Sequence, residues 1–488
     1  MIGPAPDGAW PDQGTIGPAP DGAWPAKRGA ARVALLAGLL AVAAAVACAG
    51  ATGEALEGSG VGAAPAAELV IEHVRIVSPP LAVREDAAIV VRGGRIERIV
   101  DGGRAGAIAA VRRVDGRGRT VIPGLIDAHV HVQLAAFPDA DAYAHWAANE
   151  GRRFLADYVR HGFTTILSVG DAWPGIRIVR DQANRPGEPA PRVLVSGPIL
   201  TPPRGHGTID FPECHALAYC RERGFARAVG SVEEARRIVA ELADGGVDGI
   251  KIAHDGNEIA YPTQEKMGRF APGVLAAIVE AAHARNLPVR VHAYPVAFAR
   301  EAVEAGADAL VHGPGLIRVG GSAEGLEALL DELARREVGV ATTLAIQGFT
   351  EDAWGVRRDL PFGRTELVPY LEQSGSIRTA AADARLFAEH GIPLAFGTDI
   401  MAMRRPGEAA ALEFARLREA GFSPTQSLEI ATGNAARFVG KADELGSIEA
   451  GKLADLVVVA ADPLANPDFL ERVDLVVKQG VVVWEFGR

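Results

Sequence analysis

Between Gly124 and about Asn434, short β-branched runs alternate with stretches of Ala, Glu, Arg and Leu at helical spacing. Eight of the runs read as strands: GLIDAHVHV, FTTILSVG, PRVLVSG, DGIKIA, PVRVHA, DALVHG, VGVATT and PLAFGTD. Val232–Asp244, Gly273–Arg285 and Leu326–Glu337 are among the helical stretches between them. This alternation predicts parallel βα units in an α/β fold. Eight such units predict a (β/α)8 TIM barrel over residues 123–435. An open doubly wound sheet is the alternative, but no G-x-G-x-x-G follows the first strand.

The flanks have a different texture. Residues 66–122 and 436–488 carry strand-like runs separated by turns, and Gly93-Gly94 marks a hairpin between two of them. These two ends are expected to pair into one small composite β-sandwich beside the barrel. Ahead of them, IGPAPDGAWP occurs twice, at Ile2–Pro11 and Ile16–Pro25, without hydrophobic periodicity. Residues 1–26 therefore read as a disordered Pro/Gly repeat.

Residues 27–50 have the layout of an export signal. Lys27, Arg28 and Arg32 precede the apolar run Val33–Ala47, which ends in the small-residue zone AVACAGATG. The run is short for a membrane span. An uncleaved signal anchor is the alternative, and AVAC loosely resembles a lipidation site at Cys48. The expectation is an exported protein, periplasmic or associated with the cell envelope.

Composition narrows the partners. The chain has 488 residues, 48% hydrophobic and 23% charged, with a formal net charge of -11. No basic stripe is available to neutralise phosphates, which argues against nucleic acid and leaves a small-molecule or peptide substrate. A homo-oligomer is left open. Beyond Cys48 the cysteines are Cys214 and Cys220, in ECHALAYC; in an oxidising compartment they are expected to form a disulfide.

The candidate chemistry lies where the strands end. In DAHVHV, His129 and His131 point the same way, because strand side chains alternate faces. Alone, an H-x-H pair is as readily structural as metal-binding. Lys251, His292, His312 and Asp399, however, stand at or beside the ends of the fourth, fifth, sixth and eighth runs. The strand ends of a barrel form one ring, and active sites of that fold are built there. Imidazoles and a carboxylate are N/O ligands suited to Zn, Fe, Mn or Ni, with zinc favoured for hydrolysis without redox chemistry. Lys251 is the anomaly, since a lysine is among the side chains least often buried.

VIPGLIDAHVHV, GFTTILSVG, VDGIKIA, VHAYPVAFAREAVEAGADALVHG, LAFGTD and the C-terminal IATGNAARFVG with LGSIEAGKLADLVVV resemble the amidohydrolase superfamily, within it the imidazolonepropionase-like and prolidase-like group. The resemblance runs from about Glu68 to the C-terminus. It implies two divalent metal ions: His129, His131 and Asp399 would hold one, His292 and His312 the other, and Lys251 would bridge both as an N-carboxylated lysine. An ammonium cannot ligate a cation, whereas CO2 addition to the neutral amine creates an anionic two-oxygen ligand. Water activated between the metals would attack a carbonyl, with Asp399 as catalytic base and proton carrier.

The implied activity is that of an amide or peptide hydrolase, of dipeptidase or N-acyl amino acid hydrolase type. Deaminases of the superfamily usually place a glutamate soon after the strand-five histidine, where this chain has Ala293, Tyr294 and Pro295. A cyclic amide hydrolase, a lactonase or a phosphotriesterase on the same centre is the alternative; an exported binding protein on a degenerate barrel is the alternative of another class. Candidate substrate residues are His206, in a GHG loop resembling that of the relatives, His254, Tyr294 and Arg404. Asp255 is a further pocket candidate, although a solvated βα loop is the plainer expectation for His254 and Asp255. Arg318 and Arg405 are ordinary surface arginines unless one holds a substrate carboxylate.

Overall fold

Residues 66–79, 82–132, 137–209, 216–255, 259–260, 265–293, 295–313, 324–347, 376–401, 405–466 and 468–487 are described by the computed structural model. The expectations for residues 1–26 and 27–50, and for Cys48, Cys214, Tyr294, Arg318 and Arg404, lie outside them.

The first layer is a mixed sheet. Its N-terminal strands are β1 (Ala67–Ser78), β2 (Ala82–Arg92), β3 (Arg95–Asp101), β4 (Ala110–Asp115) and β5 (Thr120–Pro123). The chain then runs through β6 (Leu125–His131), β7 (Phe163–Ser168), β8 (Arg192–Val195), β9 (Ile199–Thr201), β10 (Ala226–Ala228) and β11 (Ile250–Ala253). The short hairpin β12 (Ile259–Ala260) and β13 (Glu265–Lys266) precedes β14 (Val289–His292), β15 (Ala309–Val311), β16 (Gly339–Ala341), β17 (Leu394–Ala395) and β18 (Ile400–Met401). The last strands are β19 (Leu456–Val459), β20 (Val473–Lys478) and β21 (Val481–Glu485).

Both ends of the chain share the mixed sheet, in the order β21-β20-β19-β5-β1-β2-β3, with β4 on β1. Gly93 and Gly94 turn the β2–β3 hairpin with φ of 60° and 71°, a backbone that a type I′ turn requires and glycine adopts without strain. One face of this sheet buries Leu69, Ile71, Ile89, Leu456, Val458 and Val477. Each strand's apolar alternation supplies that face.

The middle of the chain is α/β, built from parallel strands and intervening helices. Two parallel sheets run β18-β6-β7-β8 and β10-β9-β11-β14-β15-β16-β17. The helix Val232–Asp244 shows the local logic: Ala235, Ile238, Val239 and Leu242 form its buried stripe, and the Ser231 side chain caps it by accepting from the Glu234 N–H. Leu326–Arg335 buries Leu326, Leu329, Leu330 and Leu333 in the same pattern.

The strands form two ladders, not one unbroken eight-stranded ladder. The eighth expected run holds only β17, which pairs with β16; β18, just past its end, pairs with β6. Between them the Thr398 N–H turns to the Asp127 carboxylate instead of a neighbouring strand. Backbone bonds still cross between the ladders, from Ala128 N–H to Phe396 O at 2.8 Å and from Asp248 N–H to Val195 O at 2.7 Å. Among the described residues, no helix is long and apolar enough to cross a membrane.

Candidate metal centre

β6 turns His129 and His131 to one face while Val130, between them, packs in the core. Lys251 from β11, His292 from β14 and His312 just after β15 are buried as well. Asp399 lies between β17 and β18, and its N–H donates to His129 O at 2.8 Å. Asp399 and His312 hold φ of 53° and 63°. Non-glycine residues adopt this left-handed backbone rarely, and they persist in it where the surroundings over-determine them.

Asp399 gathers three imidazoles. His129 Nε2 and His131 Nε2 each lie 3.3 Å from its Oδ1, and His312 Nδ1 lies 3.6 Å from its Oδ2. Adjacent ligands on a tetrahedral zinc stand about 3.3–3.5 Å apart, given bonds of about 2.0–2.1 Å. The two 3.3 Å spacings match that edge length, and the His312 spacing lies just beyond it. His131 Nδ1 meets the Gly170 carbonyl at 3.0 Å; donating its N–H there leaves the Nε2 lone pair on the Asp399 side. Neither ring nitrogen of the fully buried His129 has a hydrogen-bond partner among the described residues. Buried polar atoms are ordinarily satisfied, and a divalent cation of borderline softness is the partner this donor set fits.

The electrostatics agree. Burial, reinforced by the nearby Lys251, pushes the His129 imidazole down to about 3. Burial also holds His292 and His312 well below the usual histidine range. These are neutral rings, the form that ligates. Burial alone would raise the Asp399 carboxyl, but His129 and His312 outweigh it and hold it well below the usual carboxylate range. Burial lowers Lys251 to about 7, against the opposing pull of Asp399. A neutral amine is thus accessible at neutral pH, as carboxylation requires.

A second group lies beyond His312, whose ring centroid is 4.7 Å from that of His292. His292 Nε2 is 3.2 Å from Asp255 Oδ2, and His206 Nδ1 is 3.9 Å from the same oxygen. The His206 and His292 rings stack at 4.6 Å. The donor atoms therefore fall into two clusters, His129 with His312 and Asp399, and His206 with Asp255 and His292, each within 4.8 Å. This differs from the grouping that pairs His312 with His292.

Other candidates go elsewhere. His254 Nε2 contacts Glu301 at 2.7 Å, and its ring packs against Phe270 and Phe298, outside the two clusters. The solvated-loop expectation for His254 and Asp255 is corrected, because both are buried. The His254 N–H donates to His292 O at 2.8 Å, which carries strand-like pairing past β11. Arg405 is exposed and pairs locally with Glu408, as a surface arginine does. Cys220 is disulfide-bonded.

The sequence reading passed over Asp127. It sits two residues before His129, but a register shift between Asp127 and Val130 interrupts the alternation, so DAHVH alone could not say that this carboxylate turns toward Tyr158 and Thr398. Its carboxylate accepts from Thr398 Oγ1 at 2.6 Å, the Thr398 N–H at 3.1 Å, Tyr158 OH at 3.2 Å and the His129 N–H at 3.3 Å.

Comparison with known proteins adds a consistent context. An imidazolonepropionase of Aromatoleum aromaticum is 27% identical over 403 residues, covering 77% of this chain and 86% of that protein. The solved structure of a Xaa-Pro dipeptidase with bound methionine in its active site is 25% identical with a TM-score of 0.69, covering 86% of this chain and 99% of the other. A prolidase complexed with N-methylphosphonate-L-proline is 26% identical with the same TM-score and the same coverage. The Amidohydrolase family model matches residues 120–483. With that span matched, and with the strand-end donors where such a site needs them, the chain belongs to the amidohydrolase family, enzymes that hydrolyse carbon–nitrogen bonds.

Proposed function

We propose that this protein is an exported, metal-dependent hydrolase of an amide or peptide bond, of dipeptidase or N-acyl amino acid hydrolase type, on a closed (β/α)8 barrel. The observation that carries the reading is the convergence of His129, His131 and His312 on Asp399, with Lys251 buried nearby. Solved neighbours named as a Xaa-Pro dipeptidase and a prolidase support the substrate class. The N-terminal basic and apolar run supports export to the periplasm or cell envelope, with Cys48 as the possible point of lipid attachment.

Two divalent cations, zinc by the donor set, would be held by His129, His131, His292, His312 and Asp399, with Lys251 as an N-carboxylated bridge. When bound, such cations lower the pKa of water and polarise a scissile carbonyl. The residues do the rest. The neutral imidazoles offer lone pairs, and the anionic Asp399 accepts a proton at its carboxylate and returns it to the leaving amine. Buried surroundings strengthen each of these interactions.

The second reading is a cyclic amide hydrolase, favoured by the curated relatives named imidazolonepropionase. A panel of dipeptides, N-acyl amino acids, hydantoins and lactones separates the two. Turnover of dipeptides or acyl amino acids is expected. Zinc-loaded protein that acts only on cyclic amides or lactones would replace the first reading, and inactivity on the whole panel would favour a binding role.

A further inference from the structure

Arg290 is a cation where a cation is costly. It belongs to β14, two residues before His292, and its side chain is wholly buried. Nε and Nη2 both donate to Phe438 O, at 3.2 and 2.7 Å, and the Phe438 ring lies 5.5 Å from the guanidinium carbon. Nη1 has no hydrogen-bond partner among the described residues. Asp308 and Asp248 act on this charge only from a distance. Asp308 Oδ2 accepts instead from the Val289 N–H at 2.7 Å, and Asp248 Oδ2 from the Val195 N–H at 2.9 Å. Buried charges are normally paired, because desolvation costs several kcal/mol that an ion partner must offset.

The strand register sets this cation beside Lys251. β11 and β14 pair in parallel, with Lys251 opposite Arg290 and Ala253 opposite His292. Ile250, Ile252, Val289 and Val291 all pack in the main core, so by alternation Lys251, Arg290 and His292 share the opposite face. Gly249 precedes Lys251 by two residues on that face, and a Cβ built there would collide with Arg290 Nη1. The guanidinium therefore lies across β11 one step below Lys251, about 7 Å along the strand. Asp399, Arg290 and Asp255 are the charges that act on Lys251. As an amine, Lys251 gives the neighbouring guanidinium no anion. As a carbamate it would place one in the adjacent position, where burial leaves the attraction weakly screened.

Resting on the reading of Lys251 as an N-carboxylated bridge, we infer that Arg290 is a positioning residue for that modification, its buried guanidinium stabilising the Lys251 carbamate before any metal arrives. In the step itself the Nζ lone pair forms a bond to the carbon of carbon dioxide, one C=O electron pair moves onto oxygen, and the nitrogen releases one proton to solvent. The product carries one negative charge, which the fixed positive charge of Arg290 favours. Arginine suits this place because it keeps its charge when buried.

The test follows the carbamate by carbon-13 NMR in the full chain supplied with labelled bicarbonate, both metal-free and zinc-loaded, with K251A as the blank. The metal-free parent is expected to show a carbamate signal that K251A lacks. R290Q removes the charge but keeps an amide donor, and it should need at least about 10-fold more bicarbonate for half-conversion. Excess bicarbonate should restore both its signal and its rate of zinc uptake, whereas R290K, which keeps the charge, should stay near the parent. An R290Q signal equal to the parent's at every bicarbonate level overturns the inference, and so does a loss that no bicarbonate restores, since that marks a merely structural role. A carbamate that forms in the zinc-loaded parent but never in the metal-free one also overturns it, and leaves the hydrolase reading intact. Active, zinc-loaded parent without any carbamate overturns the bridge reading and the inference with it. The comparison of metal-free and zinc-loaded parent needs no substitution, so it decides the matter even where R290Q fails to fold.

Discussion

Thr398 Oγ1 donates to Asp127 Oδ2 at 2.6 Å, tying the strand of the paired histidines to the turn that presents Asp399. Four donors converge on this one buried carboxylate. D127A strands them, and buried unmet donors cost about 1–3 kcal/mol each, partly relieved by relaxation. The expected loss is about 2–4 kcal/mol by denaturant titration, together with reduced zinc content. Unchanged stability and full zinc content would show that Asp127 does not position the centre.

Gly397 makes a second requirement of the same turn. A Cβ built on it would stand 2.9 Å from His129 Cβ, closer than carbon atoms pack. G397A should therefore push β6 and Asp399 apart, lowering zinc affinity by about 10-fold or more while the far-UV circular dichroism stays that of the parent.

Removing the metal should act on stability as well as on rate. A cation present at 100 times its dissociation constant stabilises the folded state by about 2.7 kcal/mol. Dialysis against a chelator is expected to abolish hydrolysis and lower Tm, and zinc should restore both. A chelated protein with undiminished Tm and turnover would remove the metal from the mechanism.

Lys251 offers a separate handle through carbon dioxide. The amine, lowered by burial to about 7, must be neutral to react, so zinc loading of the metal-free protein should speed up when bicarbonate is added. K251A should load slowly at any bicarbonate level and lose at least about 100-fold in kcat/KM.

Away from the centre, Glu413 predicts a pH effect. Burial pushes its carboxyl from the ordinary 4.5 up to about 8. Thr342 Oγ1 contacts both this carboxyl and the Ala395 carbonyl, and its single hydrogen serves both only if Glu413 is protonated. The folded state then holds a proton across that window which the unfolded state has released. Stability from this group is therefore full below about 4.5 and lost as pH rises through about 8. E413Q should flatten the decline in Tm between neutral and alkaline pH. An identical slope in both proteins would contradict the assignment.

Much of this was legible in the residues. The apolar stripe of Val232–Asp244 and the hairpin at Gly93-Gly94 follow from local rules, and both form where expected. The strand-end histidines could be listed for the same reason, since period-two alternation fixes which way a side chain points. What alternation cannot fix is which ends become neighbours. Asp255 looked like loop until pairing of His254 with His292 extended the strand and buried it. His254 looked like pocket until Glu301 claimed its ring nitrogen. Both depend on contacts across dozens of residues, which a linear pattern does not contain.

The sheet that unites the chain's two ends has a consequence for how the molecule is made. β5 pairs in parallel with β1, yet its other edge is filled only by β19, and one residue after β5 the chain enters the strand of His129 and His131. Gly124, at that junction, donates its N–H to Asp455 O. During synthesis the strand bearing the first two imidazoles therefore waits, braced on one side, while nearly everything else emerges from the ribosome. A message truncated before Leu456 would yield a chain with every candidate ligand in it and with the footing of His129 left unfinished.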